Sequence, residues 1–324
     1  MTTFAKRRAR PVRTAAHVPR RTRRLVLYIT IAAGFAGIGF AATLAPTGTP
    51  TADEQVAPVG GRPSAIAVTR SALYIADDLT GSVRIVDPHT MRQVARVRVG
   101  PNPIAITIAG DSVVVGHGSG DVTRISATSR RITARRRAGG SITGLTYDGR
   151  TVWAADLARR ELEAIDPRTM RVTRRVRDIA AVRVLAGRGA VFATTADDAV
   201  VRYDVRTHVL RRTSVGNGPI GLASDGRSIW TAVSDDARIV RIDERTMRVT
   251  DRIPVGHGPV NVVVAHGSLW VTNNDDRTIM RLDARTGRVV GAPLRVANDL
   301  RGAASAEQVW FAGTDPSGIV RLSG

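Results

Sequence analysis

Arg183, Asn261 and Arg301 stand at a place in the chain where small residues are the rule. Two residues after a recurring entry proline, or the position equivalent to it, the sequence carries Ala65, Ala105, Gly144, Arg183, Gly221, Asn261 and Arg301. Guanidinium groups match carboxylates and phosphates through paired hydrogen bonds, so two of them with an amide at one cavity mouth would hold an anion or an acidic polymer end. The blander reading is polar filler, in which Arg183 and Arg301 pair with the nearby acids Asp178 and Asp299. His257, in an entry loop of the same kind, completes the set at the candidate mouth.

Other residues with chemical potential lead less far. The pairs Asp77-Asp78, Asp197-Asp198, Asp235-Asp236 and Asp275-Asp276 offer oxygens to a hard cation. They fall in separate repeats, however, and read as turn-forming, solvated acids, so no metal ligands are assigned. His117 and His257 are expected in loops on one face, and His89, His208 and His266 on the other. His117 and His257 lie too far apart around a ring to form an acid–base set, so no catalytic residue is assigned. There is no cysteine and no residue constellation for stacking a cofactor, and none is expected.

The elements that position these residues repeat. An aromatic or apolar residue recurs at Tyr74, Val114, Trp153, Phe192, Trp230, Trp270 and Trp310, and a strand-closing residue recurs in phase at Asp87, Ser126, Asp166, Asp204, Asp243, Asp283 and Ser323. A fixed period of that length marks a solenoid or propeller. Each unit reads as four short strands; in the fifth these are Ile220–Ser224, Ile229–Val233, Arg238–Asp243 and Val249–Val255. No sustained helical periodicity follows the N-terminal apolar segment. The expected fold is all-β, a seven-bladed β-propeller of four-stranded blades over residues 54–324. The last unit is one strand short, and Glu54–Val59 is expected to complete it, leaving no open edge. In the Asp-x-Arg-Thr turns the carboxylate should accept backbone N–H groups two and three residues on.

Trp270-Val271-Thr272-Asn273 resembles the signature of the YVTN-type seven-bladed propellers, and the Gly-x-Gly-Pro entry and Asp-x-Arg-Thr exit look like that family too. The family includes streptogramin-lyase-like proteins and is similar to quinoprotein dehydrogenase propellers. The resemblance implies the fold and does not by itself carry a chemistry.

Location comes from the N-terminus. Residues 1–24 hold nine basic groups and no acid, out of a formal net charge of +20, and residues 25–45 run without a charge. Such a segment can cross a membrane, with the basic flank in the cytoplasm and everything beyond it outside. It also suits a cleaved export signal, of twin-arginine type in view of Arg23 and Arg24. Residues 46–53 form a Pro/Thr/Gly linker. The expected function is therefore an extracytoplasmic, membrane-anchored or secreted binding or sensing scaffold, with an exported lyase-like enzyme as the alternative. The ligand or protein partner is not specified by the sequence. Export and scarce aromatics argue against nucleic acid. The Arg-bearing turns, among them Arg168, Arg206, Arg245 and Arg285, are expected on the face where Glu54 enters, turned to the cytoplasmic membrane.

Overall fold

The computed structural model describes residues 54–58, 60–296, 300–305, 308–314 and 317–322. The basic segment, the apolar segment and the linker lie outside these residues, as does Asp299. Seven antiparallel sheets of four strands follow one another along the chain. Blade one is Pro63–Val68, Leu73–Asp77, Ser82–Val86 and Gln93–Arg98; blade five is Pro219–Ser224, Ser228–Val233, Arg238–Asp243 and Val249–Pro254. The expected strands of the fifth unit thus stand within a residue of those observed. A short 3-10 turn, Ser234–Asp236, occupies its polar loop.

Closure is as expected. Glu54–Pro58 pairs antiparallel with Ser317–Leu322, Glu54 opposite Leu322 and Pro58 opposite Gly318. That strand completes the sheet of blade seven, and its backbone groups cap an edge that would otherwise be open. Blade six departs from the pattern. Its fourth strand is reduced to Leu294–Arg295, because Gly291 and Pro293 interrupt the run that would pair further along.

Burial follows strand position. Second strands such as Leu73–Asp77 and Val152–Asp156 are buried throughout, whereas fourth strands such as Ile132–Arg137 are largely exposed. The wedge between blades is filled by the recurring aromatics. Trp153, Trp230, Trp310 and Phe192 are almost fully buried, and each large ring adds on the order of 3 kcal/mol of apolar burial. Trp310 shares a cluster with Leu73, Ile75 and Val86, so it joins the last blade to the first. Trp153 meets Tyr203 edge-on at 5.6 Å, joining blades three and four.

The Asp-x-Arg-Thr turns behave as read. Asp166 Oδ1 accepts from the N–H groups of Arg168 at 2.7 Å and Thr169 at 2.8 Å. Asp204, Asp243 and Asp283 accept from their own turns in the same way. These bonds outweigh what little desolvation there is and hold the carboxyls low, Asp204 at about 2.

Candidate ligand site in the channel

The first strands of all seven blades line a central cavity of about 150 Å³, and Arg183, Asn261 and Arg301 all face it. Each of these strands slips register near its start, so one residue has no cross-strand partner. A bulge of this kind bends the strand and re-aims side chains, here at the channel wall.

The bulge corrects one part of the sequence alignment. Ala65, Arg183 and Asn261 are the residues that resume pairing after the slip, opposite Ala76, Thr194 and Thr272. In blade seven that place belongs to Gly302, opposite Ala312, and Arg301 is itself the skipped residue. Arg301 therefore corresponds to Ser64, not to Ala65. Gly302 fits its neighbours accordingly: a Cβ there would lie 3.1 Å from the backbone nitrogen of Ile66, as one on Gly144 would from that of Val184. Where neighbouring first strands approach so closely only glycine fits without a shift.

Arg183 is half-buried. Its guanidinium donates through Nη1 to the carbonyl of Thr143 in the preceding blade, and more weakly to that of Val182. Burial, and then the charge of Arg301, lower its pKa, yet a guanidinium remains charged at any physiological pH. Among the described residues neither Asp nor Glu lines the cavity. Asp78, whose carboxyl is raised by burial, feels Arg301 from outside that lining. Asn261 donates through Nδ2 to Thr272 Oγ1 at 3.3 Å. The remaining candidates do not join the cavity. Asp178 is exposed in the loop before the first strand of blade four, and does not line the cavity. His257 is exposed, with its Nδ1 3.0 Å from Asp276 Oδ1. Asp299 lies outside the described residues.

Two other sequence expectations change. His117 is not in a loop: it ends the second strand of blade two, buried, with Nδ1 2.9 Å from the Pro101 carbonyl and Nε2 3.0 Å from Thr123 Oγ1. Burial lowers its pKa, against the bond to Pro101. The Asp pairs are also more structural than solvated turns. Asp77 is fully buried and accepts from the Arg62 N–H at 3.1 Å and from Arg84 Nη2 at 2.8 Å. In blades five and six Asp236 and Asp276 fasten the entry loop likewise, accepting from the N–H groups of Asn217 and His257. The entry glycines follow from this bracket. Gly61 has a φ of +72°, and a Cβ on it would lie 2.0 Å from Asp77 Oδ2.

Sequence reasoning missed a second cluster. Asp156, Glu161 and Glu163 of blade three are all buried, with ligand oxygens within 4.8 Å of one another. Burial and then the charge of Asp156 push Glu163 up to about 7, against Arg175 and Arg159. The available signal was Glu161-Leu162-Glu163, two acids alternating on a third strand, with Glu163 at the place held by Arg84, Thr123, Val201, Val240 and Met280 in other blades.

No family model matches the chain, and no curated protein resembles it in sequence. Solved structures do. Virginiamycin B lyase from Staphylococcus aureus superposes with a TM-score of 0.72 at 16% identity, over 84% of this chain and 99% of that one. Hydrazine synthase of Kuenenia stuttgartiensis gives 0.71 at 14% over 88% and 99%, and U3-55K gives 0.73 at 10% over 85% and 100%. These neighbours are diverse in name and alike in shape. The likeness establishes a seven-bladed β-propeller, and the chemistry must be argued from this chain's own residues.

Proposed function

We propose that this chain is a non-enzymatic binding or sensing propeller, exported or anchored through residues 25–45, whose channel receives a small anion or the anionic end of a larger ligand. The observation that supports this most is that Arg183, Asn261 and Arg301 line one narrow cavity. Two guanidinium groups on one narrow cavity offer charge-assisted, paired donors that match a carboxylate or phosphate. Asn261 adds an amide that can donate or accept. Among the described residues the lining offers neither a histidine nor a carboxylate to move a proton, which favours binding over the lyase-like alternative.

The same reading orients the molecule. Arg168, Arg206, Arg245 and Arg285 are exposed on turns at the end where Glu54 begins, a surface suited to anionic lipid. Co-sedimentation of the full chain with anionic vesicles should weaken when these four become Gln; undiminished binding would separate that face from the membrane. For the channel the test is melting of the full chain against inorganic phosphate and citrate. A rising Tm that is lost in Arg183→Ala/Arg301→Ala supports the reading. Equal rises in both proteins would refute it.

A further inference from the structure

The repeat supplies its own control for the acidic cluster of blade three. In blade one the second strand ends on Asp77, and the third strand sends Arg84, whose cross-strand partner is Ile75, back onto it. In blade three the same two positions are Asp156 and Glu163, the latter paired with Ala154. Where blade one places a guanidinium, blade three places a carboxylate, and Glu161 adds another beside it. Blade two has a neutral pair there, His117 and Thr123. Blade three alone among these gathers like charges out of water.

The arginines around the cluster leave it incompletely served. Arg175 Nε lies 3.2 Å from Glu163 Oε1 and 3.5 Å from Glu161 Oε2; Arg159 stays 3.9 Å from Glu163 Oε1 and from Asp156 Oδ2, and Arg177 lies 3.5 Å from Glu161 Oε1. All three are substantially exposed, unlike Arg84. Glu163 is fully buried, yet its Oε2 has no hydrogen-bond partner, and neither has Glu161 Oε2. A buried carboxylate oxygen without a donor is costly, and both of these belong to members of the cluster.

We propose that Asp156, Glu161 and Glu163 form a site for one hard divalent cation, which takes the place that the Arg84 guanidinium holds in blade one. Carboxylate oxygens suit such ions, and two oxygens bound to one Ca²⁺ at about 2.3–2.6 Å are no more than about 5 Å apart, a span these groups satisfy. Asp156 is already fixed by the N–H groups of Gly140 and Ser141, at 2.7 and 3.0 Å, which holds it in position without exhausting its lone pairs. The site stands apart from the channel, since none of the three lines the cavity.

The test uses the chelator-treated full chain and Mn²⁺, with bound ion counted by the loss of the free-ion electron paramagnetic resonance signal. One Mn²⁺ per chain is expected, displaced by excess Ca²⁺. Glu163→Gln should weaken binding at least tenfold, and Glu161→Gln/Glu163→Gln should abolish it. Both variants should melt no lower than the ion-free wild type, because each removes like-charge repulsion, so lost binding would not reflect lost fold. No bound ion in the wild type, or equal binding in the variants, would overturn the site and leave a closed carboxylate–arginine network.

Discussion

Blade one and blade three have the same four strands and close the same corner with opposite charges. Asp77 meets Arg84 at 2.8 Å with both side chains largely out of water. Asp156 meets Glu163, with loosely held arginines at the rim. One arrangement is complete within the chain; the other has buried oxygens without donors. In a repeat protein the recurring residues describe the scaffold, and a position where one copy reverses the charge of another has been released from scaffold duty. Arg183 in the channel is a second case, a guanidinium where Ala65, Ala105, Gly144, Gly221 and Gly302 stand in other blades.

The comparison breaks most visibly at blade one. Arg84→Gln leaves Asp77 buried without its ionic partner and should destabilise the fold by about 3 kcal/mol, read as a lower midpoint in urea denaturation; a change below about 1 kcal/mol would show that the two corners are not the contrast described.

The pH responses should also run in opposite directions. Burial raises the Asp77 carboxyl, but bonds from Thr80, Arg62 and Arg84 outweigh it and hold its pKa below the usual value. Its stabilisation is thus present above the unfolded-state pKa and is lost as pH falls through the folded one. Glu163 is raised from 4.5 to about 7. In the ion-free protein it keeps its proton on folding, so its corner loses stability as pH rises from about 4.5 to about 7. Relative to Glu163→Gln, the wild type should lose about 1–2 kcal/mol between pH 5 and pH 8 once solvent screening is allowed for. A flat difference would place the Glu163 pKa near its ordinary value.

A smaller effect tests whether copying one blade into another restores a missing bond elsewhere. Trp153 and Trp230 donate their indole N–H to Asp148 and Asp225, at 2.8 and 3.1 Å. Ala265 holds that place in blade six, and the Trp270 Nε1 is buried without a partner. Giving blade six the turn of blade five, through Ala265→Asp, His266→Gly and Gly267→Arg, should raise stability by about 1 kcal/mol. No gain would mean that the indole is satisfied by water.

How legible the molecule was in its sequence follows from the same distinction. Periodicity located the strands and the closing segment because alternation and turn residues repeat in every copy. The turn carboxylates were legible for the same reason. Arg183 and Asn261 were found as exceptions at one register, whereas the place of Arg301 was misread by one residue, because a bulge adds a residue without leaving a mark in composition. Asp77 was taken as solvated, since a carboxylate tied to an entry loop and one facing water have the same letter. Glu163 went unseen because its significance lies in its distance from Asp156 across two strands, and in the Arg that occupies its place in blade one.

The measurement that bears most directly on the account sets its two charged exceptions against each other. The full chain, Arg183→Ala/Arg301→Ala and Glu163→Gln are each melted with phosphate and, separately, with Mn²⁺. Phosphate should raise the Tm of the wild type and of Glu163→Gln but not of the double arginine variant. Mn²⁺ should raise the wild type and the double variant but not Glu163→Gln. A phosphate response that survives the loss of both arginines would contradict the channel as the anion site.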